Sequence, residues 1–167
     1  MIPRLAKSSA AAVAVAMLAG CSSPAPSPTV EPLVARIYLE MRPGEAGLPV
    51  QLPVSGVAVT VNPKPVIVEY DFTGAQVAEV ELGRCLMLRL TPVAARDLYR
   101  LSVSSLGRRL VLALNDRVLG ARRIEQPISD GVVLIFLEVP DPELSALAAR
   151  LQQTSAQIAA SRRKTSP

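Results

Sequence analysis

Apolar and polar residues alternate along much of the chain after residue 33, which predicts a protein built mainly from short β-strands. The first is expected at Arg36–Glu40, where apolar side chains alternate with polar ones. Val50–Val54 and Gly56–Val61 are predicted to follow as short strands, and Val66–Tyr70 is a further candidate. Residues 34–65 are therefore predicted to form an N-terminal β segment.

Stronger strand signals follow residue 75. The predicted strands are Gln76–Leu82, Cys85–Leu90, Arg109–Leu114 and Val132–Val139. Asn115-Asp116 supplies two residues that tolerate a tight turn, so a hairpin is expected between Arg109–Leu114 and the segment that begins at Arg117. Val132–Val139 is the most continuous apolar run of the domain, and we expect it to be the most buried strand.

Two helices are predicted between these strands. Thr91-Pro92 combines an N-cap oxygen with a proline at the first helical position, so a helix is expected over residues 92–104. Asp141-Pro142 repeats this pattern, and apolar residues at helical spacing extend the second helix over residues 142–159. The predicted fold class is α+β: one domain with a mostly antiparallel sheet and two packed helices, its main part at 66–160.

The N-terminus carries a short apolar stretch that follows Arg4 and Lys7 and ends at Leu18-Ala19-Gly20-Cys21. Positive charge, a short apolar run and small residues before a cysteine are typical of a bacterial lipoprotein signal peptide, predicted here at 1–20. Cys21 is then the lipidation site, with palmitate among the expected acyl groups. Residues 21–33 are rich in Pro and Ser and are predicted to be a tether, and residues 161–167 a flexible basic tail.

A lipobox predicts a cell-envelope protein, attached to the lipid bilayer through acylated Cys21 and facing the periplasm. Ser22 follows this cysteine, where an Asp would be the familiar inner-membrane retention signal, so the outer membrane is favoured over the inner one. Removing Arg4 and Lys7 with the signal leaves sixteen cations against fourteen acidic residues. With two Phe, three Tyr and no Trp, the chain also lacks stacking platforms, and we expect no nucleic-acid partner.

The composition removes several kinds of chemistry. The chain has no histidine, which excludes Ser-His-Asp and Cys-His catalysis and zinc sites that depend on His. If Cys21 is lipidated, Cys85 has no intramolecular partner; its apolar setting predicts a buried, inert thiol, with a reactive thiol or an intermolecular disulfide as the alternatives. No metal site and no cofactor are expected.

Paired carboxylates are the remaining catalytic candidates. Glu69 with Asp71, and Glu138 with Asp141, could in principle support acid–base hydrolysis, although a turn and a helix cap explain them more simply. Ser161 to Lys164 matches a Ser-x-x-Lys pattern without its companion motifs. The cation pairs at 108–109 and 122–123 are candidate anion ligands or solvated strand ends. The chain is therefore predicted not to be an enzyme.

The order of motifs from Val66 to Leu151 resembles the head part of the first large periplasmic domain of SecD, a subunit of the protein-export machinery. The motifs that carry the resemblance are Asp71-Phe72, Leu90-Thr91, Gly107 with Leu110 to Asn115, and Ile124 to Gly131. Asn115-Asp116-Arg117 departs from the family's Asp-Gly turn, and Ala121-Arg122 from its Ala-Pro. The chain is predicted to be such a head in a stand-alone lipoprotein.

This resemblance implies a soluble module that contacts substrate or another protein. The expected function is a non-enzymatic protein-binding or accessory role in the cell envelope, with a protein partner of unknown identity. The alternative is a structural envelope lipoprotein that stabilises an assembly. An acid–base hydrolase is the remote alternative.

Overall fold

The computed structural model describes residues 32–165, in which eight strands and two α-helices follow one another. All strand pairings among them are antiparallel. The strands are β1 (Ala35–Leu39), β2 (Leu48–Gln51), β3 (Ala58–Val61), β4 (Phe72–Val80), β5 (Gly83–Leu90), β6 (Arg109–Leu114), β7 (Arg117–Arg123) and β8 (Val132–Ile135). The helices are α1 (Pro92–Ser104) and α2 (Asp141–Thr165), and the predicted single α+β domain is confirmed.

The first sheet has the strand order β1-β6-β7. Asn115 and Asp116 have φ values of 46° and 63°, so both central residues of the β6–β7 turn are left-handed, as a tight hairpin requires. The Asn115 side chain also accepts a 2.8 Å hydrogen bond from the Val34 N–H and so fixes the start of β1. A turn signal that is local in sequence therefore also positions a strand eighty residues away.

The second sheet has the strand order β4-β5-β8. The two sheets meet where β7 approaches the segment after β8: Gly120 bridges Leu137, and the Glu138 N–H donates to the Leu119 carbonyl at 2.7 Å. A Cβ at position 120 would lie 2.3 Å from the Phe136 carbonyl oxygen. Glycine at this position therefore permits the close backbone approach that joins the sheets.

Both helices pack on one face of the sheets, over a core made almost entirely of aliphatic side chains. Thr91 caps α1 as predicted, because its Oγ1 accepts from the Ala94 N–H at 3.3 Å. Ser102, fully buried on α1, accepts a 2.9 Å hydrogen bond from the Ile128 N–H and holds the loop before β8. Fully buried residues of this core include Ile37, Leu86, Leu110, Leu112, Val133 and Ile135.

The face of each sheet that points away from the helices is called its back. The β2–β3 hairpin covers the back of the first sheet, where Val59, Val61 and Val111 form a second buried cluster. The turn of this hairpin is held by Glu138, whose Oε2 accepts from the N–H groups of Val54 at 2.7 Å and Ser55 at 2.9 Å.

Several boundaries differ from those predicted. Val66–Tyr70 is not a strand, because only Ile67 bridges β1 and a 3-10 turn follows at Glu69–Asp71. Helix α2 extends to Thr165, through the first part of the predicted tail. Residues 34–65 contain β1, β2 and β3, and β1 pairs along its whole length with β6.

The strand predicted at Val132–Val139 ends at Ile135 and is half-buried, with Leu134 partly exposed. The most buried strand is β6, in which only Arg109 retains appreciable exposure. The reason is position: β6 lies between β1 and β7 and is covered on both faces, whereas β8 has helices on one face alone.

The signal peptide predicted at 1–20, the lipidation site Cys21 and most of the tether at 21–33 lie outside the described residues. At the boundary, Leu33 is buried, and its N–H donates to Thr154 Oγ1 at 3.1 Å, so the last residue of the predicted tether already belongs to the folded domain. Neither helix within residues 32–165 has the length and hydropathy needed to cross a membrane.

Candidate functional site

Around Met87 and Leu134, the back of the second sheet lacks a cover such as the one the β2–β3 hairpin gives the first. Leu86 and Leu88 of β5 face the helices, so Met87 points to the back by the two-residue alternation of a strand. Met87 is paired with Leu134 of β8. Paired residues of antiparallel strands share a face, so Leu134 lies there as well.

Several apolar residues share this surface, which we call the open sheet face. Leu82, in the β4–β5 turn, is 85% exposed, and Phe136, just after β8, is 36% exposed. Exposed apolar side chains that adjoin one another, unlike scattered ones, mark interaction surfaces. The open sheet face is defined by Val80, Leu82, Met87, Leu134 and Phe136.

A groove of about 520 Å³ runs along the edge of this face, between the second sheet and β7. Here β7 and β8 diverge beyond Gly120, and the Arg122 guanidinium bridges the gap by donating to the Leu134 carbonyl at 3.4 Å. The groove is lined by Val80, Glu81, Leu82, Ala121, Arg122, Arg123, Glu125, Leu134 and Phe136. Its walls therefore combine an apolar surface with two positive and two negative side chains, an arrangement suited to an apolar partner of low net charge.

Cys85, two residues before Met87 on β5, points to the same back but is fully buried, as predicted from its apolar setting. Burial raises the pKa of its thiol, and nearby Arg122 only partly offsets that effect. A thiol with a raised pKa is a poor nucleophile at neutral pH, which favours a packing role for Cys85 over a reactive one.

The structure does not bring either predicted carboxylate pair together as an acid–base pair. Glu69 lies 3.6 Å from Arg36, whereas Asp71 accepts from the Val68 N–H at 3.0 Å. Asp141 pairs with Arg84 at 3.1 Å. Each side chain is thus engaged with a different structural partner.

Glu138 is held in its charged form. Hydrogen bonds from Ser55, and from the Val54 N–H, lower the pKa of this carboxyl group. A general acid needs a raised pKa near the working pH, so the shift of Glu138 runs against that role. Its observed contacts assign it to anchoring the β2–β3 hairpin.

The other sequence motifs also have structural explanations. Arg108 donates to the Glu40 carbonyl oxygen, and Arg109 binds the Glu40 carboxylate at 2.9 Å, so this cation pair fixes the end of β1. Ser161 to Lys164 lies in the last turns of α2. Within the described part of the chain, no group of three or more Asp, Glu, Cys or His side chains is arranged to hold a metal ion.

The open sheet face was not predicted from the sequence. In β8 every residue is apolar, so the pattern gives no sign of which face is exposed. Leu82 carries a signal that could have been used: it lies between Glu81 and Gly83 in a turn, where a large apolar residue gains little from folding unless something else contacts it.

The fold defines an α+β domain with two helices on one side of antiparallel sheets. No protein-family model matches the chain, and no curated protein matches it significantly. Solved structures of SecDF do share the fold. The crystal structure of SecDF in its super-membrane-facing form has a TM-score of 0.57 and 21% identity, and the match covers 74% of this chain and 19% of that chain.

A second SecDF structure, described as a membrane component that enhances protein export, has a TM-score of 0.56 and 20% identity. This match covers 74% of this chain and 63% of that chain. The chain therefore spans about a fifth of one SecDF chain and under two thirds of the other. The resemblance to SecD inferred from the motifs is confirmed, and at these identities it is a likeness of fold.

Proposed function

We propose that this protein is a lipid-anchored, non-enzymatic envelope protein that binds a protein partner through the open sheet face. The observation that carries the proposal is the uncovered apolar surface around Leu82 and Phe136, next to a groove large enough to take several side chains. The occupant we propose is a protein segment with apolar side chains and low net charge, because Arg122 and Arg123 balance Glu81 and Glu125 along the groove.

The SecDF fold supports an accessory role in protein export, since one SecDF structure is described as enhancing protein export. It also supports a periplasm-facing location for the folded domain. The lipobox supports attachment through acylated Cys21, and Ser22 after it supports the outer membrane over the inner one. No step of this role requires a catalytic group, a metal or a cofactor.

In-cell photo-crosslinking tests the protein-binding role. A photoreactive amino acid is placed at Leu82 or Phe136 on the open sheet face, and a matched probe is placed at Val93, which is 59% exposed on α1. We expect a discrete crosslinked partner from the first two positions and none from Val93. Equal labelling from all three positions, or none from Leu82 and Phe136, would contradict the proposal.

The same experiment separates an accessory role from the alternative of a structural envelope lipoprotein. A structural component would co-purify with one neighbouring protein in a fixed ratio without crosslinking. The partner of an accessory protein would co-purify only after crosslinking. The anchor is tested by Cys21→Ser, which should move the protein from the membrane fraction to the soluble fraction. Membrane retention of this variant would contradict lipid attachment through Cys21.

A further inference from the structure

The C-terminal end of α2 is an exposed cationic surface. Arg162, Arg163 and Lys164 occupy its last turns and are all exposed. None of the three belongs to an ion pair within the part of the chain that the structure describes. The sequence also has no acidic residue after Glu143, so nothing along the rest of the helix neutralises them.

The folded domain begins beside this helix. Leu33 donates its N–H to Thr154 Oγ1, so the chain enters the domain beside Thr154 of α2. The cationic end of α2 lies about ten residues beyond Thr154, which is about 15 Å along the helix. Glu69, Asp71 and Asp116 are carboxylates near the start of the domain. Glu69 and Asp116 both pair with Arg36, at 3.6 Å and 3.4 Å, and Asp71 accepts from the Val68 N–H, so none of these three described carboxylates is paired with the cationic end of α2.

The distance along the chain places a bilayer within reach. Cys21 precedes Leu33 by twelve residues, and a chain of that length spans at most about 40 Å when fully extended. We propose that Arg162, Arg163 and Lys164 bind the anionic phospholipid headgroups of the bilayer that holds the anchor. This proposal rests on the lipid attachment proposed for Cys21.

Such binding would orient the domain. The opposite end of α2 lies beside the β4–β5 hairpin, because Asp141 pairs with Arg84. Helix α2 has 25 residues and is therefore about 37 Å long. With its cationic end against the headgroups, the Leu82 end of the open sheet face is held away from the bilayer, where a periplasmic partner can reach it.

Electrostatic attraction can supply the required strength. Each Lys or Arg near an anionic membrane surface strengthens binding by about fivefold, so three cations contribute a factor on the order of a hundred. Salt screens this attraction, and the effect should disappear near 1 M salt, where the Debye length is about 3 Å.

The test uses the full lipidated chain on vesicles. Backbone hydrogen exchange of residues 159–165 is measured on pure phosphatidylcholine and on phosphatidylcholine with roughly 30% phosphatidylglycerol, a composition that gives a negative surface potential. We expect exchange to be at least about fivefold slower on the anionic vesicles at low salt, and equal on both near 1 M salt.

Two variants identify the cations as the cause. Replacing Arg162, Arg163 and Lys164 together with Gln should abolish the difference between vesicles, whereas Arg162→Lys with Arg163→Lys should retain it. Arg96→Gln with Arg100→Gln, which removes two exposed cations from α1, is the matched control and should also retain it. Exchange of residues 159–165 in the Gln variant on pure phosphatidylcholine should match that of the unaltered chain, because a loss of helix stability would speed exchange there as well.

Equal exchange of the unaltered chain on both vesicle types at low salt would overturn the proposal, as would a difference that persists in the Gln variant. The anchor is read separately, by flotation of the chain with pure phosphatidylcholine vesicles and its loss in Cys21→Ser. A chain that floats but shows no vesicle-dependent exchange contradicts the headgroup contact alone. A chain that fails to float contradicts the anchor itself.

Discussion

The backs of the two sheets differ in how far another segment of the chain covers them. Over the first sheet, the β2–β3 hairpin buries Val111 completely and is itself fixed by Glu138. Over the second sheet, Leu134 and Phe136 remain partly exposed. Both backs carry apolar side chains, so the presence of such residues alone does not decide which surface belongs to the core. The difference is whether the chain supplies a covering segment, and the surface left without one is the candidate for a partner.

The largest difference in stability is expected when an aspartate is introduced on the back of each sheet. Val111→Asp should lower the free energy of unfolding by about 4 kcal/mol or more, because the carboxylate would be buried between two sheet layers without a partner. Leu134→Asp should cost only about 1 kcal/mol, since solvent reaches the open sheet face. Urea denaturation of both variants measures the difference. Equal destabilisation would mean that the second back is also covered.

The junction between the sheets should be the next most sensitive position. In Gly120→Ala the new Cβ would meet the Phe136 carbonyl oxygen at 2.3 Å, so β7 must move away from the segment after β8. We expect a loss of about 2–3 kcal/mol in unfolding free energy. Gly74→Ala is the control, because its Cβ would meet only the flexible Gln152 side chain, at 3.0 Å. A melting temperature that is lower for Gly74→Ala than for Gly120→Ala would contradict this account.

The cover of the first sheet should loosen when Glu138 loses its charge. Glu138→Ala should cost about 1 kcal/mol, because it removes charge-assisted hydrogen bonds at a turn that solvent reaches. Its pKa is lowered in the folded state, so the stabilisation is complete above the unfolded pKa of about 4.3. This stabilisation is lost as the pH falls through the lower pKa that Glu138 has in the folded state.

Unfolding free energies of the parent and Glu138→Ala, measured across this acidic range, should therefore converge as the pH falls. A difference that stays constant with pH would show that the charge of Glu138 does not hold the hairpin. Hydrogen exchange at Val54 and Ser55 provides a local readout, because the N–H groups of these two residues donate to Glu138.

Local signals in the sequence predicted local structure well. The α1 helix has the predicted bounds because Thr91 and Pro92 define its start within two residues. The β6–β7 turn was predicted because Asn115 and Asp116 are among the few residue types that adopt positive φ readily. Both signals act through the backbone of the residues that carry them, and distant parts of the chain do not alter them.

Contacts between distant residues explain what could not be predicted. Pairing of β1 with β6, and coverage of Val111 by the β2–β3 hairpin, join segments that are far apart in the chain. The exposure of Leu134 depends on the absence of a similar cover over β8, and an apolar strand has the same sequence whether it is covered or not. The open sheet face is therefore a property of the tertiary fold.

The smallest expected effect on stability is at Leu82, and it separates folding from binding most clearly. Leu82 is 85% exposed, so Leu82→Asp should change the unfolding free energy by less than about 0.5 kcal/mol. Crosslinking from a probe at Phe136 should nevertheless be lost, because a carboxylate would enter an apolar contact. Val93→Asp, in the first turn of α1, is the matched control and should leave both stability and crosslinking unchanged. If Leu82→Asp instead unfolds the domain, this side chain belongs to the core, and the second back is not a binding surface.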